Sequence, residues 1–167
     1  SLSSSSVAAD VSTAQTFTRA VTKGGAHLVE RPKARSSQSK PNVFFIGFIL
    51  TGDAALSQDN HSAKLHEGDI AILDSSRAYI IDVPHGFDAL WVSVPRYRLE
   101  GRLRGLMDIT AQRIDGRSGI GHVASSMLLA ALDEAPSMQS SDANRISNHL
   151  LDLLGIGVGQ VGAHTPR

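Results

Sequence analysis

The chain has 167 residues and a mass of 17.7 kDa, which is the size of one domain with a substantial core. Its 16 Lys and Arg balance its 16 Asp and Glu, which argues against a main role in neutralising nucleic-acid phosphates or binding an acidic membrane surface. Cysteine is absent, so disulfides, thiolate metal sites and thiol nucleophiles are excluded.

The sequence shows no segment that would span a membrane or direct secretion. The longest apolar run, Val43–Leu50, is far short of the ~20 residues that a transmembrane helix needs. The N-terminal sequence SLSSSSVAAD lacks the basic region and apolar stretch of a secretory signal. We therefore expect a cytoplasmic protein with no membrane partner.

Residues 1–25 form the first predicted segment. They are rich in Ser, Thr and Ala, and their apolar residues follow no steady period. The stretch Ser3–Ser6 is typical of disorder, because short polar side chains bury too little apolar surface to offset the entropy of ordering. We expect residues 1–25 to be flexible or partly ordered.

Short apolar runs alternate with turn residues between residues 26 and 95. The runs are rich in Ile, Val, Phe, Tyr and Trp, which favour β-strands. Strands spaced by ~8–12 residues and separated by Gly, Asp, Asn and Pro predict an antiparallel sandwich or barrel. The predicted strands are His27–Arg31, Asn42–Leu50, Ala55–Gln58, Ser62–His66, Asp69–Leu73, Ala78–Val83 and Phe87–Val94.

Two of these strands, Phe44–Leu50 and Leu90–Val94, are apolar on both faces. A strand with one face in solvent would alternate instead, so a further layer must cover the sheet. Residues 96–154 are expected to provide this layer as a helical region.

Two helices are predicted in that region. Apolar residues recur every three or four positions from Ile120 to Leu132 and again from Ile146 to Leu154, and Pro136 marks the loop between the helices. Glycines dominate residues 155–167, which is typical of a linker. Strands followed by helices predict an α+β fold.

Two short motifs resemble catalytic signatures by letter. Gly157, Gly159 and Gly162 have the spacing of a dinucleotide-binding loop, but they follow a predicted helix rather than a strand. Ser37 and Lys40 spell S-x-x-K within a polar loop, without the further motifs of serine acyl enzymes. We predict no cofactor and no catalytic residue.

His61 and His66 are the residues best suited to a metal, since a small barrel can gather imidazoles and a carboxylate around iron, manganese or zinc. Their odd offset places them on opposite faces of a regular strand, because side chains alternate with period two. We predict no metal site and leave a metal-dependent barrel enzyme as the alternative.

Tyr79 and Trp91 each combine a large apolar body with a polar tip. If Trp91 faces the barrel interior together with Ala89 and Ser93, the small neighbours leave room beside the indole, which suits a small-molecule pocket. The alternative is that Trp91 fills the core. The candidate ligand-binding residues are Tyr79, Trp91, Ser93 and His66.

Several short motifs follow one another in a distinctive order along the chain. They are Leu28–Arg31, Phe48–Gly52, Ser57-Gln58, Leu65–Ser75, Ala78-Tyr79, Leu90–Arg96 with Leu99, and the helical stretch His149–Leu154. In this order and spacing, the chain from Ala26 onward resembles the N-terminal, cupin-like sensor domain of bacterial AraC/XylS-type transcriptional regulators. No single motif is decisive, because Gly-Asp turns such as Gly68-Asp69 are common in cupins.

The resemblance implies a jelly-roll type antiparallel β-barrel over residues 26–95, followed by a C-terminal helical hairpin. It implies a domain that binds a small-molecule effector, forms a homodimer, or does both. DNA contact is expected only through a helix-turn-helix domain absent from this chain, since nothing after Leu154 is long enough for a recognition helix. The alternatives are a metal-dependent cupin enzyme, an isomerase or dioxygenase, and a dimerisation module with a filled barrel.

The helical hairpin is expected to present one face to the barrel and another to a partner subunit about a two-fold axis. The candidate residues for dimer or helix packing are Met127, Leu128, Ala131, Leu150, Leu153 and Leu154. A core role for these residues is an equal alternative. Replacing Leu150 with Asp would dissociate the dimer in the first case and unfold the monomer in the second.

Overall fold

The structure is a computed structural model, and it describes residues 2–7, 16–22, 26–30, 43–100 and 109–164. Nine strands lie in these ranges: β1 (Leu2–Val7), β2 (Thr16–Thr22), β3 (Ala26–Glu30), β4 (Val43–Gly52), β5 (Ala54–Gln58), β6 (His61–Leu65), β7 (Ile70–Asp74), β8 (Tyr79–Val83) and β9 (Phe87–Pro95). The helices of the same ranges are α1 (Arg96–Glu100), α2 (Gly119–Glu134) and α3 (Ser140–His164), and a 3₁₀ turn at Ala135–Ser137 joins the last two.

The strands form two antiparallel sheets. One has five strands in the order β1-β2-β9-β4-β7, and the other has four in the order β3-β8-β5-β6. Antiparallel strands followed by helices confirm the α+β prediction. The predicted barrel takes the form of a two-sheet sandwich rather than one continuous closed sheet.

The five-stranded sheet is the middle of three layers. On β4, Phe44, Ile46 and Phe48 pack with leucines of α2 and α3, whereas Phe45 and Ile49 pack with strands of the four-stranded sheet. The alternation follows from the period of two along a strand. A helical layer therefore covers the outer face of the sheet, as the two-sided apolar pattern of this strand predicted.

The N-terminal residues differ from the sequence-based expectation. Ser3–Ser6, expected to be disordered, belong to β1 and pair with β2 through Thr18–Val21. β2 pairs in turn with β9, so main-chain hydrogen bonds place the serines in the sheet despite their weak strand propensity. Residues 8–15 and 23–25 of the same predicted segment lie outside the described residues.

The C-terminal glycines also differ from expectation. The predicted linker at residues 155–167 is helical through His164, as the continuation of α3. Gly157 is buried there, and a Cβ built on it would lie 3.5 Å from Ile114 and 3.8 Å from Ile120. Packing against these side chains offsets the low helix propensity of glycine, which a reading of local sequence cannot include.

Candidate functional site

A group of partly buried apolar side chains lies between the two sheets, and we call the space that they line the cup. Phe45 and Trp91 come from the five-stranded sheet, and Ala63, Tyr79 and Ile81 come from the four-stranded sheet. They pack against a fully buried cluster that fills the rest of the space between the sheets. These five side chains therefore remain partly exposed beside the buried cluster, and two of them are aromatic residues with polar tips.

Trp91 shares its face of β9 with two small residues. Ala89 is fully buried in the same cluster, and Ser93, two residues further along the strand, is partly buried. The register sets Trp91 opposite Gly47 and Ser93 opposite Phe45 on β4. Trp91 and Ala89 thus face the space between the sheets, and a pocket beside the indole stays a prediction.

Tyr79 lies across the cup from the five-stranded sheet. Its ring meets that of Phe45 edge to face, with the centroids 6.3 Å apart and the planes at 71°. Such pairs favour this geometry because the positive edge of one ring faces the negative face of the other. The contact holds Tyr79 against the opposite sheet.

A buried glutamine joins the two sheets beside this aromatic pair. Gln58 of β5 pairs in register with Tyr79 and is only 2% exposed. Its Nε2 donates to the carbonyl of Asp74 on β7 at 2.7 Å, and its Oε1 accepts from the Asp74 amide at 2.9 Å. The Gln58 side chain thus pairs with both the amide and the carbonyl of Asp74 on the edge strand β7. Buried polar groups generally need such partners.

The carboxylate of Asp74 fixes α1 to the sandwich. It accepts hydrogen bonds from the Arg96 guanidinium at 2.6 Å and from the Ser76 hydroxyl at 2.7 Å, and the Arg96 side chain also lies 4.4 Å from the Phe44 ring centroid. Burial opposes ionisation of Asp74, but these hydrogen bonds outweigh it, so the pKa of Asp74 lies below its ordinary value. Arg96, which directly follows β9, therefore attaches the start of α1 to the sandwich.

The segment Ile109–Ile114, which we call the strap, runs along the free edge of β7. Ile114 and Ile70 exchange backbone hydrogen bonds of 2.8 and 3.0 Å, and the Ala111 amide donates to the Ile72 carbonyl at 2.9 Å. The strap thus covers an edge that would otherwise present unpaired main-chain groups.

The strap also touches both buried clusters. Ala111 belongs to the cluster between the sheets, whereas Ile109 belongs to the cluster between the sheet and the helices. The His61 ring donates through Nδ1 to the Thr110 carbonyl at 2.9 Å, which ties the strap to β6. The cup and the helical layer therefore share one short segment, which leads directly into α2.

The two histidines weighed as metal ligands lie at opposite ends of β6. His61 binds the strap, and His66 is half exposed with Nδ1 3.0 Å from the Asp53 carboxylate. The structure does not bring His66 together with Tyr79 and Trp91. No group of three or more His, Asp and Glu that could hold a metal ion occurs in the part of the chain that the structure describes.

The candidate hairpin residues divide by burial. Leu128, Leu150 and Leu154 are at most 5% exposed and belong to the cluster against the five-stranded sheet. Met127 and Leu153 are partly buried against the same cluster. Ala131 is half-buried on α2. The structure places these residues in or beside the monomer core, in line with their alternative interpretation.

Other apolar residues of these helices are about half exposed. Val123 is 48% exposed and Leu129 is 50% exposed on α2, and Ile156 is 52% exposed on α3. Of these three, only Val123 belonged to the apolar stripe that the sequence predicted. None of the helices within the described ranges is both long and apolar enough to cross a membrane.

An antiparallel two-sheet sandwich with an aromatic-lined cup and a helical layer is the architecture of a cupin-like ligand-binding domain. The chain matches the family model described as an AraC-binding-like domain over residues 7–156. It therefore belongs to this family, the ligand-binding domains of AraC-type transcriptional regulators.

Two individual proteins are similar to this chain. An uncharacterized protein in the nit 5′ region of Bacillus sp. (strain OxB-1) is 24% identical over 127 residues, covering 75% of this chain and 49% of that protein. The crystal structure of the AraC-like transcriptional activator CuxR superposes with a TM-score of 0.73 at 12% identity, covering 87% of this chain and 52% of that one. The chain spans about half the length of each, and the low identity to CuxR shows a shared fold alone.

A cupin superfamily protein from Desulfitobacterium hafniense DCB-2 is also similar. It is 14% identical and has a TM-score of 0.45, and the match covers 57% of this chain and 78% of that protein.

Proposed function

We propose that this chain is the effector-sensing and dimerisation domain of a bacterial AraC/XylS-type regulator, which reaches DNA through a separate domain. The proposal rests chiefly on one observation. Trp91 and Tyr79 line the cup and remain partly exposed, although the residues of the cluster against which they pack are buried. Partly exposed aromatic rings beside a buried apolar cluster are a typical lining of small-molecule sites.

The cup favours a small molecule with a flat or apolar body. Trp91, Tyr79 and Phe45 offer ring surfaces for such a body, and the Ser93 hydroxyl offers a polar group for orientation. His66 is not included in the proposed pocket, because it lies beside Asp53 at the other end of β6.

The strap offers a route by which occupancy of the cup would influence the helices. Ala111 packs with the cup cluster, and Ile109 and Ile114 pack with α2 and α3. A ligand shifts the helices only if it binds two strap arrangements with different affinities. In this proposal the strap is the two-state element that the ligand biases.

Dimerisation is assigned to the outward side of the helical layer. Val123 on α2 and Ile156 on α3 are each about half exposed. Two equivalent helix pairs that meet about a two-fold axis would cover these residues on both subunits.

The test is a thermal-shift screen of the purified chain with aromatic acids, amines and sugars. A ligand at 100 times its dissociation constant is expected to add about 2.7 kcal/mol to the free energy of unfolding. Ser93→Phe, which fills the partly exposed end of the cup, should abolish the shift, and Lys64→Phe on the exposed face of β6 should not. If no compound stabilises the chain, the dimerisation module with a filled barrel is the better description.

The enzymatic alternative has its own test, elemental analysis of the purified protein. A metal-dependent enzyme would contain stoichiometric iron, manganese or zinc that is lost when His61 or His66 is replaced. That result would contradict the proposal, because His61 binds the Thr110 carbonyl and His66 contacts Asp53 at opposite ends of β6.

A further inference from the structure

A cavity lies on the other side of the five-stranded sheet from the cup, and we call it the helix pocket. It has a volume of about 410 Å³ and lies between α2, the end of β4 and the turn between β6 and β7. Phe48, Leu50, Leu128 and Leu129 supply its apolar lining. This volume is within the usual range of small-molecule sites.

Ser125 supplies a hydroxyl group to the wall of the helix pocket. The residue is 8% exposed, and its hydroxyl makes no hydrogen bond to any other residue in the part of the chain that the structure describes. A hydroxyl that is not already paired can donate one hydrogen bond and accept others from a ligand. Ser125 therefore lines the cavity with a donor and acceptor that is free for a bound molecule.

The charged groups at the pocket carry both signs. Glu67 and Arg117 line it together, and the Arg117 Nε donates to the Glu67 carbonyl at 3.4 Å. His122 donates through Nδ1 to the Gly116 carbonyl at 3.1 Å. One carboxylate and one guanidinium complement a ligand with no net charge that bears both a cationic and an anionic group.

We propose that the helix pocket binds a small zwitterion with an apolar side chain, the chemistry of an aliphatic or aromatic α-amino acid. Its carboxylate pairs with Arg117 and its ammonium group with Glu67. Its side chain packs on Leu128 and Leu129, and Ser125 bonds one of the polar groups. This site is distinct from the cup and does not depend on the effector-sensing proposal, because none of the cup residues lines the helix pocket.

Isothermal titration calorimetry of the whole chain tests the charge requirement. Leucine and phenylalanine are the probes, and 3-methylbutylamine and 4-methylpentanoate are leucine analogues without the carboxylate and without the amine. We expect at least one of the two amino acids to bind, and each leucine analogue to bind about tenfold or more weakly than leucine. Equal affinity for either analogue, or no heat from either amino acid, overturns the proposal.

Single substitutions locate the binding. Arg117→Gln should weaken leucine about tenfold while leaving 3-methylbutylamine unchanged, because the amine has no carboxylate to lose a partner. Ser125→Ala should weaken leucine about fivefold. Arg117 is exposed and Ser125 has no protein partner to lose, so both variants are expected to fold.

A filling variant supplies the matched control. Ser126→Phe places a ring at the exposed mouth of the helix pocket, whereas Ala130→Phe adds the same bulk to an exposed position of α2 outside it. We expect Ser126→Phe to abolish amino-acid binding and Ala130→Phe to retain it. Undiminished binding by Ser126→Phe places the ligand elsewhere and overturns the proposal.

Discussion

The indole of Trp91 covers the backbone of Gly47, its register partner on β4, so closely that a Cβ at position 47 would lie 2.5 Å from Cζ3 of the ring. Real side chains do not approach to that distance, so only glycine at this position allows the indole to lie where it does. The absence of one side chain on β4 thus shapes the aromatic wall of the cup.

Gly47→Ala is predicted to displace the indole and to destabilise the domain by about 1–3 kcal/mol, the usual cost of overpacking. The matched control is Gly157→Ala, since a Cβ there meets Ile114 at an ordinary 3.5 Å. In the helix interior that change should be neutral or stabilise by up to about 1 kcal/mol. Denaturant unfolding followed by tryptophan fluorescence measures both. Equal effects of the two substitutions would contradict the packing described for Trp91.

Gln58→Leu is predicted to destabilise the domain although it replaces a polar residue with an apolar one in the core. The change leaves the amide and carbonyl of Asp74 without the partners that Gln58 provides at 2.9 and 2.7 Å. A cost of about 1–3 kcal/mol is expected in urea unfolding. Lys64→Leu on the exposed face of the neighbouring strand is the control and should change the midpoint little. A stabilised Gln58→Leu variant would show that these bonds do not join the sheets.

The free energy of unfolding is predicted to fall on acidification in part through Asp74. Its folded pKa lies below the unfolded value, so its ionised form stabilises the fold above about pH 4, and this stabilisation is lost as the pH falls through the folded pKa. Asp74→Asn should lower the free energy of unfolding by about 3 kcal/mol near neutral pH. It should also make the fall of this free energy at acid pH, the acid limb of the profile, less steep. Asp115 keeps part of that limb, because the Arg117 amide and Ser118 hydroxyl lower its pKa as well.

Glu100→Gln is the control for this pH profile. Glu100 also pairs with Arg96, at 3.3 Å, but its side chain is 56% exposed. An exposed pair of this kind contributes little, so the variant should keep the steep acid limb. If the free energy of unfolding of Asp74→Asn fell as steeply on acidification as that of Glu100→Gln, the prediction for Asp74 would be wrong.

The two faces of α3 are predicted to respond differently to a buried charge. Leu150→Asp should prevent folding, because Leu150 is 5% exposed and belongs to the core beneath the helices. Ile156→Asp should leave a folded monomer, because Ile156 is 52% exposed, and should weaken the proposed dimer. Circular dichroism and analytical ultracentrifugation separate the outcomes. A folded, monomeric Leu150→Asp variant would place the dimer contact at Leu150 instead.

Much of the position of the strands along the chain follows from the sequence, because the turns between them depend on local residues. The turn before Asp69 contains Gly68, whose φ of +89° favours glycine, and this turn separates β6 from β7 near the predicted position. The serines of β1 gave no comparable signal, because their order comes from pairing with β2. Gly157 was likewise assigned to a linker, because its packing partner Ile114 is distant in sequence.

The parts of the site that depend on neighbouring residues of one strand were predictable from the sequence, and the parts that depend on distant segments were not. Alternation along β9 places Trp91 and Ser93 on one face, so their relation was readable from the sequence. Gln58 carried an unused signal: it continues the buried alternation of Ala54 and Leu56 along β5, which marks a polar residue aimed at the core. The helix pocket gave no signal, since it forms where distant segments meet, such as the one that carries Ser125.

The most direct test of the sensor account uses the fact that Trp91 is the only tryptophan of the chain. A compound that stabilises the domain is titrated while the indole emission is followed. If the cup is the effector site, the emission maximum or intensity changes along a saturable curve whose dissociation constant matches calorimetry, and Ser93→Phe abolishes the change. Stabilisation with unaltered indole emission, or the same titration curve in Ser93→Phe, would contradict it.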